Sequence, residues 1–249
     1  MWYYFSMKLV CLNIWKGKLL DSVLDFIRSQ APTTDIFCFQ EVTRSLGTKG
    51  VHQDAFSAIA EALPDFQGFF EAAQDYPDGA EEGLATFVQR RDTIDKEGDL
   101  FVYRTRNAML GDDGRTQGRN LQFVEFPLNG KEFTVVNFHG LWTGDGRGDT
   151  SERIEQSRKM KEFLSRIQAH TIVCGDFNLS RDTQSMTIIE DGMKNLIKEY
   201  GITSTRNRFF EWPDKFADYI LVSPEVTVKS FQVIQNEVSD HLPLILEFS

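Results

Sequence analysis

The sequence predicts an α/β fold in which two sheets pack face to face with helices outside them. Two observations carry this prediction. Short alternating or apolar runs of strand length occur in two groups, and amphipathic stretches of helical spacing fall between and after them. A third observation bears on domain count: no linker or shift in composition divides the 249 residues, so they read as a single domain, 1–249.

Taken in order, residues 7–15 alternate like a half-buried strand, and residues 19–29 place Leu20, Val23, Leu24 and Ile27 on one helical face. Residues 35–42 make a short apolar strand ending in Gln40-Glu41, and a helix follows over residues 54–63. Strand-like runs come next at 66–71, 84–89, 100–104, 121–126 and 133–138. Ser151 and Glu152 open an amphipathic helix running to about residue 168. A strand at 171–174, a helix at 191–200 and strands at 216–222, 226–233 and 242–248 complete the chain. Loops rich in Gly and Asp at 75–83, 111–118 and 143–149 separate periodic segments.

Composition narrows the class. Hydrophobic residues at 41% and charged residues at 26% are those of a soluble globular protein. A formal net charge of −10 opposes tight, non-specific duplex binding, yet is compatible with a phosphoryl substrate, because carboxylates that hold a cation add to the same total. Cys11, Cys38 and Cys174 each sit inside an apolar run without Cys-x-x-Cys spacing and read as reduced core residues. Residues 1–6 lack a basic n-region and read as a disordered extension before the first strand. No run reaches the roughly 18 apolar residues of a spanning helix, so no membrane partner is expected and the location expected is cytoplasmic.

The chemistry is written where polar residues end apolar strands: Asn13, Glu41, His139, and Asp176 with Asn178. Strand ends collect at a sheet rim, where side chains from distant positions converge on one ligand. Each residue alone also fits a turn, a cap or a hydrogen-bonded structural histidine. Their joint order is more specific: Leu12-Asn13-Ile14-Trp15, Gln40-Glu41-Val42, Asn137-Phe138-His139, Gly175-Asp176-Phe177-Asn178, Ala217-Asp218-Tyr219-Ile220 and Ser239-Asp240-His241-Leu242-Pro243. These six segments, spanning nearly the whole chain, resemble the endonuclease/exonuclease/phosphatase superfamily, whose fold is that of deoxyribonuclease I.

The resemblance implies a four-layer α/β sandwich of two mainly antiparallel sheets flanked by helices. It implies a Mg²⁺ or Mn²⁺ ion held by Glu41 and Asp240 with Asn13 helping, a choice that suits a hard cation preferring few carboxylates and several waters. It assigns His139, Asp176, Asn178, Asp218 and His241 to catalysis of in-line water attack, with Asp176 positioning the water and Asp218 favouring the charged form of His241. Asn13, His139, Asn178, Trp142 and Arg153 are its substrate-binding candidates. Trp15 and Trp212 share Trp142's place in rim loops, and Lys16, Lys18, Arg115, Arg119, Arg206 and Arg208 are candidates for a local positive field.

Departures from subfamily patterns narrow the substrate. Lys215-Phe216-Ala217-Asp218 lacks the Cys-Asp-Arg signature of inositol-polyphosphate 5-phosphatases, and His139 stands where apurinic endonucleases carry a Tyr-containing motif. The stretch from His139 to Trp142 looks closer to tyrosyl-DNA phosphodiesterase. The expected activity is metal-dependent phosphodiester hydrolysis on a nucleotide or single-stranded nucleic acid. The alternatives are a phosphomonoesterase on a small metabolite and a non-catalytic binding module. No protein partner can be inferred.

Overall fold

The first strand, β1 (Met7–Asn13), shows why this chain makes layers: Met7, Leu9 and Cys11 enter a core shared by two sheets, while Val10 and Leu12 enter a second core beneath helices. A strand buried on both faces must lie inside a sandwich. The structure, a computed structural model, describes residues 5–45, 52–108, 117–144 and 146–249. Residues 1–4 of the expected extension, Arg115 and most of the loop at 111–118 lie outside the described residues.

Eleven further strands follow: β2 (Ile36–Ser45), β3 (Phe66–Asp75), β4 (Ala80–Gln89), β5 (Lys96–Tyr103), β6 (Arg119–Leu128), β7 (Lys131–His139), β8 (His170–Asp176), β9 (Lys194–Asn195), β10 (Asp218–Val222), β11 (Val228–Val233) and β12 (Leu244–Phe248). They form two six-stranded sheets, ordered β11-β12-β1-β2-β4-β3 and β5-β6-β7-β8-β10-β9. Each sheet is antiparallel except at one pair, β1 with β2 in the first and β7 with β8 in the second. The helices α1 (Leu20–Gln30) and α2 (Ala55–Ala62) cover the first sheet through Val23, Ile27 and Ile59. The helices α3 (Ser151–Leu164) and α4 (Gln184–Glu190) belong to the second sheet's side through Met160, Met186 and Ile189. The result is the expected four-layer sandwich.

Two local readings differ. The expected helix over 191–200 is instead α4, the short β9 and a one-turn α5 (Leu196–Glu199). Gly192 at φ 77° ends the earlier helix, and the Asn195 side chain accepts from the Ile197 and Lys198 amides to start a new one. The loop expected at 75–83 is largely strand, because β3 and β4 pair up to Asp75 and Glu81.

Between the sheets lies a buried amide network that the sequence reading did not foresee. Gln40 Nε2 donates to Asn137 Oδ1 at 2.6 Å, and Asn137 Nδ2 donates to the carbonyls of Phe39 and Ala85 at 3.1 and 3.2 Å. The bonds tie the middles of β2 and β4 in one sheet to β7 in the other, next in sequence to Glu41 and two residues before His139. Paired in this way, buried amides hold a fixed relation between layers rather than costing their full desolvation.

Candidate active site

Strand register alone assembles half the site. His139 is the register partner of Asp176 across the parallel pair β7 and β8, and Asp218 is the partner of Asp176 across the antiparallel pair β8 and β10. Three residues far apart in sequence therefore stand in one row at the rim of the second sheet. Gly175, at φ 143°, allows the close approach: a Cβ there would lie 1.9 Å from the Phe138 carbonyl oxygen. Asn178, at φ 51°, turns the chain after β8, and its backbone amide donates to Asp176 Oδ1 at 2.9 Å. Its side-chain amide donates to the Gly140 carbonyl at 3.2 Å, so it ties two rim loops together while lining the cleft.

The first sheet contributes Glu41 through a bulge. The β2–β4 register advances three residues from Phe39 to Val42 against two from Ala85 to Gly83, and Glu41 lies in the extra stretch at φ 55°. Of the seven non-glycine residues with positive φ among the described residues, four, Trp15, Lys16, Glu41 and Asn178, line this cleft. Such strain, of order 1–3 kcal/mol each, is held where the surrounding structure fixes it, and here it aims side chains inward.

Asp176 Oδ2 is the hub. It accepts from Asn13 Nδ2 at 3.1 Å and lies 3.5 Å from His241 Nε2, 3.8 Å from His139 Nε2 and 3.8 Å from Arg206 Nη2. Asn13 Nδ2 also donates to Glu41 Oε1 at 3.2 Å, while Asn13 Oδ1 accepts from the Trp15 amide at 2.9 Å. Because the backbone amide occupies the oxygen, Asn13 presents its NH₂ to both carboxylates. It therefore holds Glu41 and Asp176 together, and the second lone pair of its Oδ1 stays open.

His241 Nδ1 meets Asp218 Oδ1 at 2.7 Å, leaving Nε2 toward Asp176. The expected pair is present, but its charge differs from expectation. Burial, and after it the Arg206 guanidinium, push the His241 pKa down to about 3, outweighing the help of Asp176 and Asp240. Burial raises Asp218 to about 6. Both shifts favour the neutral form of the group they act on, and the 2.7 Å contact fixes the orientation of the ring. His139 is likewise held well below its usual pKa, by burial first and the Arg119 charge second. Glu41 moves the other way, raised to about 7 by burial and then by the negative charge of Glu82.

Asp240 reaches the same cleft, where Arg206 Nη1 donates to its Oδ2 at 2.5 Å. An isolated β-bridge between Arg206 and His241 places that arginine beside both. The cleft, about 520 Å³, also takes in Lys16, Lys18, Arg119 and Trp142 among the expected residues. Arg153 does not reach it. Its guanidinium is buried and donates to the carbonyls of Leu141, Gly148 and Gly146 at 3.2, 2.6 and 2.7 Å, so it fastens the loop after β7 instead of contacting substrate. Arg208 pairs with Glu237 at the surface. Four lining residues, Glu82, Gln117, Arg147 and Phe210, had no signal in the sequence beyond being polar, charged or aromatic residues near loops.

The donor set suits a hard divalent cation. Glu41 is a shielded carboxylate whose ionisation is opposed by its surroundings, the condition a bound cation relieves. Glu41 would hold the ion, with Asp240 reaching the same cleft, although the Arg206 bond already neutralises part of Asp240. Among the described residues, Asp176, Asp218 and His241 form a second group that could hold a metal, their ligand atoms lying within 4.8 Å of one another. In that group Nδ1 of His241 faces Asp218, and Nε2 is the ring atom left toward Asp176.

Solved structures share this architecture. An endonuclease/exonuclease/phosphatase family protein from Bacteroides thetaiotaomicron superposes with a TM-score of 0.76 at 20% identity, covering 99% of this chain and 98% of that one. A mannosyl-6-phosphatase of the same organism gives 0.74 at 20% identity, covering 98% of this chain and 99% of that one. A humanized D. rerio TDP2 gives 0.70 at 15% identity with the same coverages, 98% and 99%. At these identities the likeness shows the fold alone. No curated protein matches the chain in sequence. The model of the Endonuclease/Exonuclease/phosphatase family matches residues 10–241, from within β1 to His241 itself, and the chain belongs to that family.

Proposed function

We propose that the protein is a divalent-metal-dependent phosphodiesterase acting on nucleotide-type or short single-stranded nucleic acid esters. Members of its family are phosphoesterase hydrolases. The observation that carries the reading is the convergence on Asp176 Oδ2 of Asn13, His139, His241 and Arg206, brought from both sheets. The separations of 3.5–3.8 Å to the two histidine nitrogens are longer than a direct hydrogen bond, so both rings face Asp176 Oδ2 without being committed to it.

A bound cation would supply Lewis-acid stabilisation of the phosphoryl oxygens and lower the pKa of water. The chain's own residues do the rest. Asp176, held by Asn13 and by the Asn178 amide, orients the attacking water and takes up its proton. His241, its tautomer set by Asp218, presents a neutral Nε2 that hydrogen-bonds the reacting group. His139, also neutral, stands beside Asp176 on the opposite strand, and Arg206 and Arg119 meet the charge that builds on the phosphoryl oxygens. Which histidine serves the leaving oxygen follows from the side on which the ester lies.

The net charge of −10 selects among substrates. Positive side chains are gathered at the cleft as the buried Arg119, Arg147 and Arg206 and the exposed Lys16 and Lys18, so binding rests on a few local contacts rather than on counterion release along a duplex. The same five cations favour one further reading, a phosphomonoesterase on a small phosphorylated metabolite, since a dianionic group would use them. Rates on a single-stranded oligonucleotide, its duplex, a chromogenic phosphodiester and a sugar phosphate monoester, with Mg²⁺ or Mn²⁺, separate these. The proposal expects the first and third to be cleaved faster than the duplex at about 0.15 M salt. A clear preference for duplex, or for the monoester, contradicts it.

A further inference from the structure

A smaller cavity, about 120 Å³, adjoins the cleft and shares Trp142, Arg147 and Phe210 with it. Its other walls are Trp212, Gly146 and Asp214. Arg147 is only 7% exposed, and its Nη1 donates to the Asp214 carbonyl at 3.0 Å. Its guanidinium lies 4.5 Å from the centroid of the Phe210 ring, and its shielded Nε has no hydrogen-bond partner among the described residues. Nor does any described carboxylate come within ion-pair distance of it. A buried cation with an idle donor and no contact ion pair among the described residues, its carboxylates Asp176, Asp218 and Asp214 acting only from a distance, is completed by an anionic ligand.

Around this cation stand two indoles open to solvent, Trp142 at 46% and Trp212 at 55% exposure. Broad aromatic faces left exposed beside a reactive cleft are binding surfaces. What they accept is decided by the rest of the lining. The Asp214 carboxylate is already engaged by Ser180 Oγ and the Phe216 amide. A pyranose would find few partners for its hydroxyls here, whereas a planar heterocycle needs only the faces.

We infer that Trp142, Arg147, Phe210 and Trp212 form a subsite for one nucleotide of the substrate, its base against the indoles and a phosphate other than the cleaved one on Arg147. The inference deepens the phosphodiesterase reading of the adjoining cleft and rests on it. Phe210 gives the subsite its shape: the Arg206 guanidinium also lies over its ring, 4.4 Å from the centroid, so one ring carries an arginine of the subsite and an arginine of the catalytic centre.

Binding is measured first without turnover. In the presence of chelator, calorimetric titration with adenosine 5′-monophosphate should saturate, and ribose 5-phosphate and inorganic phosphate should bind more weakly. Trp212→Ala, at an exposed position, should weaken the nucleotide about tenfold, the order of one lost base stack, and leave ribose 5-phosphate unchanged. Arg147→Gln should weaken both phosphates. In turnover, Trp212→Ala should raise KM for a dinucleotide about tenfold and leave an analogue without a base at that position unaffected. Equal binding of the nucleotide and ribose 5-phosphate overturns the inference, as does an equal effect of Trp212→Ala on both substrates. Nucleotide binding that survives in a protein hydrolysing no phosphodiester would remove the activity proposed for the cleft and leave the subsite in place.

Discussion

The two walls of the cleft are held by different means. On one side His139, Asp176 and Asp218 stand on three neighbouring strands, aligned by backbone register before any side chain acts. On the other, Arg147, Phe210 and Trp212 stand on loops kept in place by side chains: Arg153 across three carbonyls, Arg147 on the Asp214 carbonyl, and Lys215 on the carbonyl of Phe210. The first wall belongs to the fold, and the proposed function gives it the chemistry. The second can change while the fold persists, and the proposed subsite gives it the substrate choice.

Substitutions should separate the walls, and the largest effect belongs to the strand wall. Asp176→Asn keeps the shape and removes the carboxylate that four groups surround, so kcat should fall by about 10³ or more with an unchanged circular dichroism spectrum. Asp218→Asn should lower kcat by about 10², because it removes the acceptor that sets the His241 tautomer, with KM little altered. If either variant changed KM alone, the division between walls would fail.

Next in size is a substitution under the loop wall. Arg153→Ala leaves the carbonyls of Leu141, Gly146 and Gly148 without their donor and should cost about 2–4 kcal/mol, visible in the denaturant midpoint. Because the freed loop carries Trp142 and Arg147, KM should rise more than kcat falls. A drop in kcat with KM intact would place Arg153 in the chemistry after all.

The smallest effect is a gain. Glu41 has its folded pKa raised from 4.5 to about 7, so the folded protein binds this proton more tightly than the unfolded chain. Without a cation, stability therefore falls as pH rises from 4.5 to 7 and the penalty is complete above that. Glu41→Gln should stabilise the chelated protein at pH 8 by about 1–3 kcal/mol and have no such effect at pH 4. Thermal unfolding at the two pH values checks the sign.

These contrasts also mark what could be read from the sequence. Asn13, Glu41, His139 and Asp176 with Asn178 were legible because an apolar run followed by a polar residue records a rim position, and the layers followed from the same runs; Asp218, which opens β10, was legible only through the family resemblance. Arg147, Phe210 and Glu82 were not, since loop geometry and the β2 bulge decide which of many charged and aromatic residues face inward. Arg153 was misplaced for the same reason: helix α3 begins at the cleft's edge, but its third residue turns under the loop. Asp218 as the partner of His241 was visible in the chain order, whereas the burial and the Arg206 bridge that oppose the ring's charge exist only in the folded protein. The bond from the Trp15 amide to Asn13 Oδ1 likewise has no signal in the sequence.

The claim beneath all of this is that Glu41 makes the cleft a divalent-cation site on which turnover depends. The direct test is a Mg²⁺ titration of chelated protein in which hydrolysis of a chromogenic phosphodiester and the unfolding temperature are followed together at pH 8. The account predicts no turnover in chelator, recovery with Mg²⁺ or Mn²⁺, a parallel rise in unfolding temperature, and neither response in Glu41→Gln. Full turnover in chelator, or an undiminished metal response in Glu41→Gln, would contradict it.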